Sequence, residues 1–139
     1  MAADEFGAVN GSPRVWLRAE AAAVLVAASA GYFGLGGNGW LFALLFFAPD
    51  LSFLGYLAGR KAGAVVYNIA HSYVLSAVLG ALGLALQNPL LQHLALIHAA
   101  HVGFDRSLGY GLKYPSDFSH THLGRIGRDA KVPRKAAAR

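Results

Sequence analysis

The sequence predicts an all-α protein: a four-helix transmembrane bundle with short loops and a basic, cytoplasmic C-terminal tail. Three observations predict it. The chain is unusually apolar, 55 % hydrophobic against 14 % charged residues over 139 positions, which is far from the balance of a soluble domain. Its apolar residues fall into four runs, each near the roughly 20 residues needed to cross a bilayer. The breaks between those runs carry turn chemistry, and charge is confined to alternate breaks.

The polar start, residues 1–14, leads into a membrane domain over residues 15–112, followed by a basic tail over 113–139. The four runs are about Val15 to Phe33, Gly39 to Ala58, Ala62 to Leu84 and Pro89 to Leu108. GLGGNG, GRKAG and LQNP separate them, and glycine, asparagine and proline at these points end helices. Arg18 and Glu20 lie early in the first run, and further spans follow it, so it reads as a retained helix and not as a cleaved leader.

Orientation follows from the loops. Arg14 and Arg18, the pair Arg60 and Lys61, and the tail with Lys113, Arg125, Arg128, Lys131, Arg134, Lys135 and Arg139 fall on one side; the two other loops are uncharged. The positive-inside rule then puts both termini in the cytoplasm, and the expected location is the bacterial inner (cytoplasmic) membrane. The net charge of +5 is a tail property and marks topology or anionic lipid, so nucleic acid is not an expected partner. The chain has no cysteine, which leaves only nitrogen and oxygen as metal ligands.

Ionisable residues inside the runs call for a reason. At about 1.5 Å of rise per residue, Asp50 lies roughly 12 Å from the cytoplasmic end of its helix and His71 roughly 15 Å in from Lys61. His101 and Asp105 belong to the same half of the last helix, and Glu20 enters the first helix from that side. His98, His101 and Asp105 fall within roughly 60° on one helix face. On the third helix Tyr67, Asn68, His71 and Ser72 form another polar face. Charges at such depth cost a few kcal/mol each against lipid, so they are expected to face inward and be paired.

Two readings follow. Asp50, His71, His101 and Asp105 suit a hard or borderline divalent ion such as zinc, manganese or iron, with His98 as the proton-transfer residue and Tyr67 and Asn68 orienting ligands or substrate. The same groups also suit interhelical hydrogen bonding in a scaffold or subunit without catalysis, or a minimal proton or ion pathway. Bis-histidine haem, using His71 with His98 or His101, is a third arrangement. His93 is expected at the outer interface. His120 and His122 are expected in solvent unless their segment folds back over the cavity. Phe42, Phe46, Phe47, Phe53 and Tyr56 are expected to pack or to contact lipid.

The motifs APDLSFLGYLAG, YNIAHSY, HVGFDRSLGYGLKYP and THLGRIG resemble a family of small bacterial four-span membrane proteins recorded only as a domain of unknown function, from about Leu41 to Gly127. A wider similarity is to membrane-bound metal-dependent hydrolases distantly similar to zinc-dependent phospholipase C. These carry Pro-Asp-x-Asp, a histidine motif ending in Thr-His-Ser, and His-x-x-x-Asp followed by Gly and Tyr-Pro. Pro49 to Ser52, Ala70 to Ser72, His101 to Asp105 and Gly111 to Pro115 correspond. The resemblance implies Asp50, His71, His101 and Asp105 as metal ligands, and an activated water that attacks a lipid or other amphiphilic ester or phosphoester. Ser52 replaces the second aspartate, and Val66, Tyr67 and Asn68 stand where another histidine is expected; either change costs a second metal or a general base. Membrane lipid, an amphiphilic small molecule and a second copy of the chain are the expected partners.

Overall fold

The computed structural model describes residues 7–128. Its elements are α1 (Gly11–Gly34), α2 (Gly39–Phe46), a 3₁₀ segment (Ala48–Ala58), α3 (Arg60–Ala70), α4 (Tyr73–Ala85), α5 (Pro89–Leu108) and a two-stranded antiparallel hairpin, β1 (His120–Thr121) with β2 (Gly124–Arg125). The predicted helical class stands, but four unbroken helices do not. The second run changes from α to 3₁₀ at Phe47 and Ala48, and the third breaks at His71 and Ser72 with a bend of 41°. The first helix also begins before the predicted Val15, at Gly11.

The turns are built as their residues dictate. Asn38 caps α2 by accepting the backbone N–H groups of Trp40 and Leu41, and Asn88 caps α5 by accepting that of Leu91, with Pro89 in the first turn where its missing N–H costs nothing. Gly109, at φ 98°, closes α5; the N–H of Tyr110 returns to the Asp105 carbonyl and that of Gly109 to Arg106, the paired arrangement that satisfies a helix C-terminus.

Helix α5 is the centre of the packing, against α1, α2 and α4, while α3 lies along the 3₁₀ segment. At Gly103 the α5 and α1 backbones approach so closely that a Cβ would stand 2.7 Å from the Ala21 carbonyl oxygen.

The pairing of α3 with the 3₁₀ segment has a simple metric. A 3₁₀ helix repeats its face every three residues at about 2.0 Å rise, and an α-helix returns to nearly the same face every four at about 1.5 Å. Both steps are about 6 Å. The stripe Asp50, Phe53, Tyr56 can therefore match His71, Tyr67, Gly63 rung for rung. Asp50 meets His71 at 3.3 Å, Phe53 faces Tyr67 with ring centroids 5.3 Å apart, and the Tyr56 ring covers Gly63. Pro49 initiates the change, because it has no N–H to return to Leu45 and its ring crowds that carbonyl.

After α5 the chain folds back. Leu112 to Tyr114 pair with His120 to His122, and Val9 donates its N–H to the His122 carbonyl. Lys113, Thr121 and Leu123 are buried, so the part of the predicted tail up to residue 128 is packed structure. Lys131, Arg134, Lys135 and Arg139, the rest of the basic tail, lie outside the described residues.

A Cβ on Gly63 would stand 2.3 Å from the Tyr56 ring, so Gly63→Ala should lower stability by about 1–3 kcal/mol through overpacking. Gly34→Ala, where nothing lies within 4 Å, should leave the melting temperature unchanged or raised. Thermal unfolding of the two variants beside wild type checks the contrast.

Candidate metal centre

Asp50 comes from the 3₁₀ segment, His71 from the break between α3 and α4, and His101 and Asp105 from successive turns of α5. One ligand atom from each lies within 4.8 Å of all the others. His71 Nε2 is 3.1 Å from His101 Nε2, 3.3 Å from Asp50 Oδ1 and 3.5 Å from Asp105 Oδ2; His101 Nε2 is 3.5 Å from each of the same two carboxylate atoms. A regular tetrahedron with metal bonds of 2.0–2.1 Å has edges of about 3.3–3.4 Å. Five edges of this group, at 3.1–3.5 Å, lie within about 0.2 Å of that length.

Tautomers support the same geometry. His71 Nδ1–H donates to the Tyr67 carbonyl at 3.0 Å, which leaves a lone pair on Nε2, directed into the group. His101 Nδ1 is buried and makes no hydrogen bond among the described residues. With protons on both Nδ1 atoms, two Nε2 lone pairs and two carboxylate oxygens converge on one point, as they would around a cation.

The walls are aromatic. Tyr67 stacks on His71 at 3.8 Å and 13°, and Phe46 and Phe47 set ring edges against His101. His71 and His101 are 3 % and 1 % exposed, whereas the Asp105 side chain is 16 % and that of Asp50 36 % exposed. The group thus opens on its Asp50 side.

Other residues singled out from the sequence sit elsewhere. His98 accepts from Ser76 Oγ at 2.6 Å and donates to the Ala70 carbonyl at 2.7 Å; both ring nitrogens are engaged in bridging the broken helix, away from proton transfer. Asn68 clamps the Lys113 backbone, donating to its carbonyl at 2.9 Å and accepting its N–H at 2.7 Å. It fastens the folded-back segment to α3. Tyr67 touches the group through its stacked ring and interacts with Asp105. Glu20 is exposed on α1 and is absent from the group. His93 packs its ring on Tyr32. His120 pairs with Ser116, and His122 accepts the Leu112 N–H. With His71 and His101 facing one another at 3.1 Å, no porphyrin plane fits between them, and His98 is already engaged.

Two further contributors were not among the site residues that the sequence singled out. Arg106 donates to the His71 carbonyl at 3.3 Å and stacks on Tyr73, satisfying a carbonyl that the break leaves free. Lys113 places Nζ 3.7 Å from the Phe118 ring centroid and 5.0 Å from that of Tyr67, while donating to the Phe118 carbonyl at 2.8 Å. Burial lowers its pKa to about 8, against the opposing pull of Asp105 and Asp117.

Fold and site define a small, mostly helical protein with a buried group of two histidines and two aspartates able to hold a metal ion. The chain belongs to the family described as a domain of unknown function, DUF4260, whose model matches residues 14–126. That description carries no activity. No curated protein and no solved structure matches the chain.

Lys113 gives a pH signature. Between its folded value of about 8 and its ordinary 10.5, the unfolded chain binds more protons at this position than the folded one, so its contribution makes stability rise with pH across that window. Lys113→Met should flatten the rise, as read from denaturation midpoints between pH 8 and 10.5.

Proposed function

We propose that this chain is an integral membrane protein that holds one divalent transition metal, zinc, manganese or iron, between Asp50, His71, His101 and Asp105, and hydrolyses an ester or phosphoester of an amphiphile. The observation that carries the metal is the convergence of four acceptor atoms at tetrahedral spacing, with His71 Nδ1 tied to a backbone carbonyl. Such an ion supplies a Lewis acid and an activated water at neutral pH.

The chain's own groups divide the remaining work. Asp50, the most exposed of the four, faces the side from which substrate and water arrive. Tyr67 and the Phe46 and Phe47 rings keep the two imidazoles dry and fixed. An apolar recess of about 250 Å³ adjoins the group along the chain; Leu45, Pro49, Ala70, Leu75, Leu79 and Ile97 line it. It is smaller than typical drug-sized pockets and suits a single hydrocarbon chain, which is why the substrate is read as an amphiphile.

The membrane reading is supported by Gly39–Ala58, long and apolar enough to cross a bilayer, and by the bent pair Arg60–Ala70 and Tyr73–Ala85, which passes the same test if counted as one span. Large apolar side chains also stand outward: Trp40 is 86 % and Leu57 87 % exposed. A cation-rich face around Arg14, Arg18, Arg60 and Lys61 then belongs in the cytoplasm.

A second reading has its own observation. The 3.1 Å contact between His71 and His101 is also the length of a hydrogen bond carrying one proton, as in a scaffold or proton pathway. In that arrangement His71 Nε2 accepts and His101 Nε2–H donates, because the His71 Nδ1–H is already given to the Tyr67 carbonyl.

Protein purified without chelator or histidine tag should contain about one transition metal per chain by elemental analysis. His101→Ala should lose it and His93→Ala should keep it, and metal-dependent release of acid or phosphate from short-chain esters should follow the metal. Wild-type protein that is metal-free and gains neither metal nor stability on reconstitution contradicts the proposal.

A further inference from the structure

Beside the helix break lies a partly open cavity of about 160 Å³ that shares no residue with the four-ligand group. Its polar lining is Glu20 of α1, Tyr73 of α4, Arg106 of α5 and His122 of the folded-back segment, with Leu17 and Val24 among the apolar walls. Three of these are hydrogen-bond donors lacking a strong acceptor. The Arg106 guanidinium gives one N–H to the His71 carbonyl and has no carboxylate within ion-pair distance among the described residues. The Tyr73 hydroxyl is buried without a partner among the described residues.

His122 completes the set by tautomer. Its Nδ1 accepts the Leu112 N–H at 2.8 Å, so in the neutral ring the proton sits on Nε2. Burial and the neighbouring Arg106 lower its pKa, which keeps the ring in that neutral, donating form. Tyr73, the first residue of the 13-residue α4, brings its ring into the lining from the helix break.

We infer that this cavity is a binding site for a phosphate group, held by the Arg106 guanidinium, the Tyr73 hydroxyl and the His122 Nε2–H. A fixed cation and two neutral donors around one cavity suit a compact oxyanion with several acceptor oxygens. The volume equals that of roughly five waters, enough for one phosphate and the first atoms of whatever it esterifies. Glu20 is the only carboxylate in the lining; it stands on an exposed face, where solvent screens its repulsion. Neither a free phosphate nor a lipid headgroup is favoured by these contacts, because both present the same oxygens. The inference does not depend on the metal reading.

The test uses full-length, chelator-treated protein in micelles of an uncharged detergent, titrated with inorganic phosphate and separately with a short-chain phosphatidate, binding being followed by calorimetry. Tyr73→Phe is the decisive variant. It removes a hydroxyl that has no partner in the free protein, so its melting temperature should be equal or higher, while phosphate affinity should fall by about ten- to a hundredfold. Glu20→Gln should tighten binding, and Arg106→Gln should abolish it. His101→Ala, which lacks a metal ligand, should bind phosphate as wild type does, so failure of the metal reading leaves this result intact. Binding of inorganic phosphate that weakens in Tyr73→Phe supports the site with a free anion as ligand. Binding of phosphatidate alone that weakens in the same way supports it with a headgroup as ligand. No binding of either, or binding unchanged in Tyr73→Phe and Arg106→Gln, overturns it.

Discussion

Four electron-rich atoms cannot share one point in a dry, aromatic setting unless positive charge joins them. Two carboxylate oxygens and two imidazole nitrogens lie at 3.1–3.5 Å across five contacts, and at such range, with both imidazoles buried and water reaching mainly the Asp50 side, they repel one another. Much of the molecule's irregularity is what this convergence requires. His71 reaches the group because α3 stops there, and Asp50 reaches it because the helix before it tightens into a 3₁₀ turn.

Each irregularity leaves backbone groups in need of partners, and α5 supplies them. His98 takes the Ala70 carbonyl and Arg106 the His71 carbonyl, while His101 and Asp105, between these two in sequence, turn into the group. One straight helix therefore both contributes two of the four convergent side chains and repairs the break that brings His71 to them. The matched 6 Å steps of α3 and the 3₁₀ segment hold Asp50 opposite His71, and the Asn68 clamp on Lys113 ties the folded-back segment to the helix whose end carries that histidine. This is the logic of discontinuous helices: irregular backbone is tolerated where protein groups satisfy it.

The sequence made the four-residue group legible because depth and helical phase are properties of single helices, and ionisable residues in apolar runs are few. Asp50, His71, His101 and Asp105 all follow from counting residues. Glu20 shared their depth and still misled, because depth says nothing about rotation and its α1 face points away from the group. The break at His71 was hidden within an unbroken apolar run, and AHSY holds neither proline nor glycine. The break is stabilised from α5, a tertiary effect that local pattern does not carry. The 3₁₀ segment did leave a trace: Asp50, Phe53 and Tyr56 recur every three residues after Pro49, a period that belongs to neither an α-helix nor a strand. His98 and Asn68 bond to backbone and to Ser76, and a polar residue on a helix face looks the same in sequence whether it serves a substrate or a backbone.

The central claim is that the convergent group is a metal site made by these four side chains. X-ray absorption at the metal edge of zinc-reconstituted protein tests it most directly. The account predicts four nitrogen or oxygen ligands at about 2.0–2.1 Å, with the outer-shell scattering of two imidazoles, one of which disappears in His71→Ala. A six-coordinate, water-like shell without imidazole scattering, or a spectrum unchanged in His71→Ala, would contradict it.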